Sequence, residues 1–556
     1  MVVSVIVRTA LGLYVLAFAV RAIVFAAFPD PAYPDSSYYV DVARSIAAGH
    51  GLTVDFVWIF AEVGNRIPDP AVLPIASNAH WLPLPSFIQA PFISILGPTP
   101  LASALPGIIL GSFAAPLTWL IARDAGARSL VAVAAGVLVA IPGAALVFMA
   151  QPEAFGLSML LVPLTLLALA KGLRGNPWAF ALSGLGAGLM AIARNDGILL
   201  GGTVALVWVL DRLRSWRLRR GRRSWSHVDD RAPVPLIAAL IALGLFLLVV
   251  APWWWRQIAT FGSISPTTSN GAALWLRDLG EWDSITAQPS LQTFLAQGPA
   301  AIVASRLAGL GGALANFAVV LCSVVLVPFF VVGLVARWRS PSFRPWLVYA
   351  VVLLLGATFL YPVHVPGGAF IHSAIGLLPG VAILSIEGLL LVLGWFSGRR
   401  RAWDERGGGT VVVWVTVAIV VAIGVAAGRP TIQRWGDLAS QRQAVARALD
   451  TLGAPASDRL FTVDAAGFRY WTGRPGVVTT NDPLPVVEAI GRAYGVRWLV
   501  LEREGVPPAL GPVLAGQRPP WVGTPALTIP SGDGGLPRLV LYPVCFDAGD
   551  PRCSGG

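Results

Sequence analysis

Pro34-Asp35-Ser36-Ser37-Tyr38-Tyr39-Val40-Asp41-Val42-Ala43-Arg44 follows the first long apolar run of the chain almost at once and is closed by the turn signal Gly49-His50-Gly51. The stretch is too polar to sit in lipid and too short to be a domain. It puts a carboxylate, Asp35, just past the end of a membrane span. Read locally, Asp35 or Ser36 is the N-cap of a short amphipathic surface helix starting near Ser36. The surrounding sequence gives Asp35 a larger part.

The chain has 556 residues, of which 56% are hydrophobic and 12% charged, against about 25% charged in soluble domains. Mean hydropathy is +0.70. Repeated apolar runs of about 20 residues predict a polytopic α-helical membrane protein. The runs are continuous and do not alternate, which excludes a barrel. The net charge of +11 is carried almost wholly by Arg in a few loops between apolar runs. That distribution fixes membrane orientation, and with no nucleic-acid-binding motif beside it, it gives no nucleic-acid partner.

The first run, Val2 to Phe28, is interrupted by Arg21 and has no small-residue cleavage site, so it reads as a retained span with Arg21 snorkelling or pairing near its outer end. Further spans are expected at 99–122, 130–150, 153–171, 177–194, 197–210, 233–254, 313–336, 345–362, 373–396 and 410–427, about eleven in all. With a cytoplasmic N-terminus the even connections lie inside: Arg123–Arg128, Lys171–Arg174, Arg212 to Arg231, Arg337–Arg344 and Arg399–Arg406. These hold the Arg clusters, as the positive-inside rule requires. The expected localisation is therefore the plasma membrane, multi-pass.

The organisation read from this pattern is a transmembrane module at 1–427, with a first extracytoplasmic loop at 29–98 carrying juxtamembrane helices and a Trp-rich extracytoplasmic loop at 255–312. A mixed-charge segment at 428–556 follows. There, Arg459–Asp464 and Val496–Leu501 read as buried strands and Pro485–Tyr494 as the helix between them, a small C-terminal α/β domain outside the membrane. Of the three cysteines, Cys322 lies in an apolar run, while Cys545 and Cys553 are placed to pair in an oxidising compartment.

The unusual polar residues near span ends collect on the side opposite the Arg loops. Asp35 follows span one, Glu153 follows Pro152 at the start of span four, and Arg194 and Asp196 stand between two spans. His80 lies in the first loop, and His364 and His372 in the last extracytoplasmic loop. Each has a plainer reading: Glu153 complements a helix dipole, Arg194 pairs with Asp196, and the histidines are solvated. Collected on one face, acids beside His and Arg suit binding of an anionic head group such as a phosphate. No His pair shows helical metal-ligand spacing, and no metal site is assigned.

These residues resemble a family. Arg21, the Asp35-Ser36-Ser37-Tyr38-Tyr39 helix and Gly49-His50-Gly51, then His80-Trp81-Leu82-Pro83-Leu84-Pro85, Gln151-Pro152-Glu153, Arg194-Asn195-Asp196-Gly197 and Phe468-Arg469-Tyr470-Trp471-Thr472-Gly473-Arg474-Pro475 follow, in order, elements of the GT-C superfamily. These are integral-membrane glycosyltransferases using polyprenyl-phosphate sugars, among them protein mannosyltransferases and lipid A aminoarabinose transferases. Two departures stand out. Several members have Asp-Glu where this chain has Asp35-Ser36, and His80 is followed by Trp-Leu and not directly by Pro-Pro.

The resemblance implies a GT-C-like arrangement and transfer of a sugar, with inversion, from a polyprenyl-phosphate donor to an acceptor hydroxyl on a glycan, lipid or protein. Asp35 would be the general base and Glu153 a second catalytic carboxylate. Arg194 and His80, then His364 and His372, would hold the departing phosphate, with Asp196 beside them. Tyr38 and Tyr39 would wall a sugar or prenyl chain. No cofactor is required with certainty, and a divalent metal stays open. The competing class is a transporter or flippase of a lipid-linked glycan or other anion. Against it, no internal repeat is visible and the polar groups sit at span ends instead of the midplane.

Overall fold

The computed structural model describes residues 2–219, 232–266, 272–366, 368–399 and 405–547. Cys553, and with it the expected pairing to Cys545, lies outside the described residues, as does most of the Arg212–Arg231 loop. The described residues fall into two compact units. One comprises Met1–Pro29, Ala104–Trp255 and Val303–Ile432, the other Asp30–Ser103, Arg256–Ile302 and Gln433–Gly556.

Apolar composition over whole helices makes the chain a multi-pass α-helical membrane protein. Among the described residues seven helices are long and apolar enough to span: Val5–Ala27, Pro100–Asp124, Phe155–Leu173, Leu236–Phe261, Pro299–Leu321, Ala369–Ser397 and Gly407–Thr451. An eighth is the pair Ser129–Ala140 and Gly143–Ala150, bent by 53°. Pro142 at the break cannot donate to the helical ladder. The second half coils as a 3-10 helix and packs Leu146 and Ala150 on Val24 of the first span. Gly143 takes φ +50° there, and a methyl on it would collide with Ser323 Oγ. Pro177–Ala191 and Arg344–Leu360 form shorter apolar helices where full spans were expected.

A second expected span is likewise not a single helix. The run 313–336 divides into the end of Pro299–Asn316, a π-helical turn Phe317–Leu321, and a separate helix Val327–Arg337. Ser323 and Val324 between them have φ of +47° and +60°, a region β-branched residues rarely occupy. Hydropathy does not register such a break, because every residue in it stays apolar or small. The expected span at 233–254 also runs longer, to Phe261.

In the second unit, alternation and β-branched runs form two sheets. A two-stranded sheet pairs β1 (Thr53–Val54) antiparallel with β3 (Ile75–Ala76). The larger sheet contains β2 (Phe56–Val57), β4 (Arg459–Thr462), β5 (Gly476–Val478), β6 (Val496–Glu502), β7 (Leu527–Ile529) and β8 (Leu539–Pro543), in the order β2-β5-β4-β6-β8-β7. β5, β4 and β6 are parallel neighbours, and β8 turns antiparallel to β6. The predicted strands and the helix between them are thus present, the helix as Leu484–Ala493. The first loop adds β2, parallel to β5, at one edge. Val57, Phe461, Val477, Ile490 and Leu499 are fully buried in one cluster on this sheet, each contributing about 1.5–3 kcal/mol. Arg442 ties the sheet internally, bonding Asp464 Oδ2 at 2.7 Å and both oxygens of Glu502 at 3.3 Å.

Candidate active site

The helix carrying Asp35 runs Pro34–Ala47, two residues ahead of its expected onset near Ser36. Pro34 occupies the first turn, where its missing N–H costs nothing. The N-cap is Tyr33, with no side-chain cap bond, so neither Asp35 nor Ser36 caps the helix. The Asp35 carboxylate instead accepts a hydrogen bond from Trp81 Nε1 at 2.8 Å. It still lies in the first turn, where the helix dipole favours its charge.

Behind Trp81 a polar chain leads into the core of the same unit. The Trp81 ring stacks on Tyr38 with centroids 4.2 Å apart and planes 24° apart. Tyr38 OH donates to Glu62 Oε1 at 2.7 Å and accepts from the Asn78 N–H at 2.7 Å. Glu62 Oε2 accepts from the Trp58 N–H at 3.1 Å. Burial pushes the Glu62 carboxyl up to about 8, opposed by its hydrogen bonds from Tyr38 and Trp58. Arg256 and Gln257 close the back, donating to the Ser77 and Asn78 carbonyls, each at 2.7 Å. Tyr38 is 0% and Tyr39 3% exposed. Their rings are core, so Tyr38 acts through its hydroxyl and stacking face and not as an open wall. His80 stands edge-on to Trp81 at 5.0 Å and against Trp282 at 5.2 Å.

Asp41 lies two turns along the Asp35 helix. Burial raises it to about 7, against the pull of Arg44 and Arg469. Arg44 reaches over the Tyr470 ring at 4.5 Å, and Tyr470 OH donates to Asp30 Oδ1 at 2.8 Å.

The first unit holds the remaining candidates. Glu153 is 3% exposed and sits two residues ahead of the Phe155–Leu173 helix. His372 Nδ1 lies 3.3 Å from Glu153 Oε2, and its ring stacks on Phe155 at 4.4 Å and 14°. Among the described residues neither Glu153 oxygen nor His372 Nδ1 makes a hydrogen bond. Arg194 Nε pairs with Asp196 Oδ1 at 3.1 Å, the plainer of the two readings the sequence allowed. Asp196 Oδ2 accepts from Ser373 Oγ, so Arg194, Asp196 and Ser373 form one polar group. Tyr349, fully buried, lies within electrostatic reach of Asp196 and Arg194. His364 ends a 3-10 turn, edge-on to Tyr361 at 6.3 Å. Burial lowers its pKa, which makes it a neutral donor–acceptor near pH 7 and not a fixed cation.

Arg21 departs from expectation. It is 1% exposed and so does not snorkel. Nη1 donates to the Ala17 carbonyl at 3.1 Å. A Cβ on Gly111 would stand 3.4 Å from Arg21 Nε and 3.2 Å from the Gly156 Cα, so bare glycines make the room its side chain occupies. The sequence carries a signal for Glu62 too: it is the one charge in the apolar run Phe56-Val57-Trp58-Ile59-Phe60-Ala61-Glu62-Val63. Nothing local marks Ser373 or Tyr349, whose relevance comes from partners more than 150 residues away.

No family model matches the chain, and no curated protein matches it in sequence. Solved structures match it in fold. ArnT from Cupriavidus metallidurans in the apo state superposes with a TM-score of 0.51 at 14% identity, covering 96% of this chain and 98% of that one. The same protein bound to undecaprenyl phosphate gives 0.50 at 14%, covering 97% of each. The Archaeoglobus fulgidus oligosaccharyltransferase in complex with Zn and sulfate gives 0.50 at 12%, covering 94% of this chain and 72% of that one. The fold is that of these ArnT and oligosaccharyltransferase structures. At these identities the likeness is one of fold, and it extends almost from end to end.

Proposed function

We propose that the protein is a membrane glycosyltransferase that moves a sugar from a polyprenyl-phosphate donor to an acceptor hydroxyl at the extracytoplasmic face. The observation that carries this reading is Asp35. It is an acid fixed by a hydrogen bond at the start of a helix that follows the first span, in a chain whose fold matches ArnT along its whole length. ArnT binds undecaprenyl phosphate, which supports a polyprenyl carrier for this chain as well.

In the proposed reaction the acceptor oxygen attacks the anomeric carbon from the face opposite the phosphate. The new C–O bond forms as the bond from the anomeric carbon to the phosphate oxygen breaks, and the configuration inverts. Asp35 takes the acceptor proton. The polyprenyl phosphate leaves with the electron pair as a phosphate ester, needing donors and cations more than a proton. Arg194 and His80 are proposed to supply them, with His364 and His372 as further donors. Asp196 would hold Arg194 in orientation, and Glu153 would position the sugar. The module boundaries at 427 and 428, the loops at 29–98 and 255–312, and the outward placement of the C-terminal domain belong to the same proposal.

The Glu153 carboxylate and His372 Nδ1 fit a divalent cation, since both are ligand types with unbonded atoms 3.3 Å apart. Such an ion, when bound, would supply positive charge to the leaving phosphate.

Incubating the purified protein with a panel of radiolabelled polyprenyl-phosphate sugars tests the reading. Time-dependent release of label from at least one donor is expected. Release from none, with membrane extract supplying acceptors, overturns it.

A further inference from the structure

Asp35 stands at a helix start without a cap bond, so its own helix does not fix the rotamer of its side chain. A general base needs that fixation: a displacement of about 1 Å can cost on the order of a hundredfold in rate. The restraint present is the Trp81 indole, which has a single N–H and no acceptor and spends that N–H on Asp35 Oδ1.

The indole plane is set in turn by its stack on Tyr38. Tyr38 can neither slide nor roll, because its hydroxyl is held from two sides by Glu62 and the Asn78 N–H. Glu62 is anchored by the Trp58 N–H. All of these residues lie in one compact unit. Burying a carboxyl at 3% exposure is unfavourable compared with an apolar residue of like size. Leu or Met would fill the space at Glu62, but neither would hold a phenol hydroxyl.

We propose that Glu62 and Trp81 are positioning residues for Asp35, Glu62 acting through Tyr38 and Trp81 directly, so that one Asp35 oxygen is pinned and the other is presented to the acceptor hydroxyl. The proposal rests on the glycosyl-transfer reading for its catalytic consequence, but its structural core can be read without any activity. Trp81→Phe keeps the stacked ring and removes the N–H. Glu62→Gln keeps an acceptor for Tyr38, and Glu62→Leu removes it.

Two measurements on the full-length protein in detergent test this. The first is the set of indole N–H resonances of the 21 tryptophans, in which Trp81 is the signal missing from Trp81→Phe. A hydrogen bond to a carboxylate moves that signal downfield. It is expected to move upfield in Asp35→Ala and in Glu62→Leu, and to stay in place in Glu62→Gln. The second is kinetics: Trp81→Phe and Glu62→Leu should lower kcat about ten- to a hundredfold with KM within about twofold, and Glu62→Gln should retain most of the rate. An unmoved Trp81 signal in Glu62→Leu, or wild-type kcat in Trp81→Phe, overturns the proposal while leaving the glycosyltransferase reading intact. If no donor is turned over, that reading falls, and the resonance still decides whether the relay exists.

Discussion

Trp81 Nε1 donates to Asp35 Oδ1 across 46 residues of chain, and this bond replaces the helix cap that the local sequence suggests. The difference has an energetic consequence. Loss of a true Asp cap costs about 1 kcal/mol. Here the helix start is held by Pro34 and burial of Tyr38 and Tyr39, so Asp35→Asn should change unfolding stability by less than about 0.5 kcal/mol. Thermal unfolding in detergent checks this. A Tm drop of several degrees would show that Asp35 serves the fold.

Glu153 and His372 face each other with unbonded atoms. If they hold a divalent cation, a chelator should abolish transfer, readdition of metal should restore it, and His372→Ala should weaken metal binding by about ten- to a hundredfold. Retention of full activity after exhaustive chelation would limit the pair to contacts with substrate.

Asp35 and Glu153 are proposed to serve one reaction, so their losses should not add. Residues acting as a unit are strongly non-additive, and Asp35→Asn/Glu153→Gln should be about as inactive as Asp35→Asn alone. Multiplying defects in a single-turnover assay would assign the two acids to separate steps.

Arg442 is buried between Asp464 and Glu502. Removing one member of a buried ion network leaves charge uncompensated. Arg442→Ala should therefore destabilise by about 3–5 kcal/mol, seen as a lowered unfolding midpoint and as proteolysis within the C-terminal segment. A change below about 1 kcal/mol would contradict the role given to this triad.

Among the acids that burial raises in the second unit are Asp41, to about 7 from 3.8, and Glu62, to about 8 from 4.5. Between those limits the folded state binds protons that the unfolded state has released. Their contribution to stability is thus fully present below about pH 4 and is lost as pH rises through 7 to 8. The Tm of the wild type should fall from pH 5 to pH 8.5, and Asp41→Asn/Glu62→Gln should flatten that slope. An equal slope in the double variant would mean that other groups set it.

Much of this fold is written in periodicity. Twenty-residue apolar runs mark most spans, and the runs at Arg459–Thr462 and Val496–Glu502 mark two parallel strands. Both signals are local. The pairing of Phe56–Val57 with Gly476–Val477 was not legible, because a two-residue strand carries no pattern and its partner lies some 420 residues on. The break at Ser323 and Val324 was hidden for a different reason: backbone conformation changes there while hydropathy does not. At the site, residue types near span ends pointed to Asp35, Glu153 and Arg194. The bonds around them did not show, since Trp81 and Ser373 reach Asp35 and Asp196 only through tertiary contacts. Arg21 was legible as a charge in a span but not in its direction, which depends on the space left at Gly111.

Asp35 is proposed as the base of an inverting sugar transfer. The most direct measurement follows the anomeric configuration and rate of product formation from a polyprenyl-phosphate sugar of known configuration, for wild type and Asp35→Asn. Product of inverted configuration is predicted, with kcat for Asp35→Asn lowered by about 10² to 10⁴ at little-changed donor affinity. Retained configuration, or an Asp35→Asn enzyme as fast as wild type, would contradict the account.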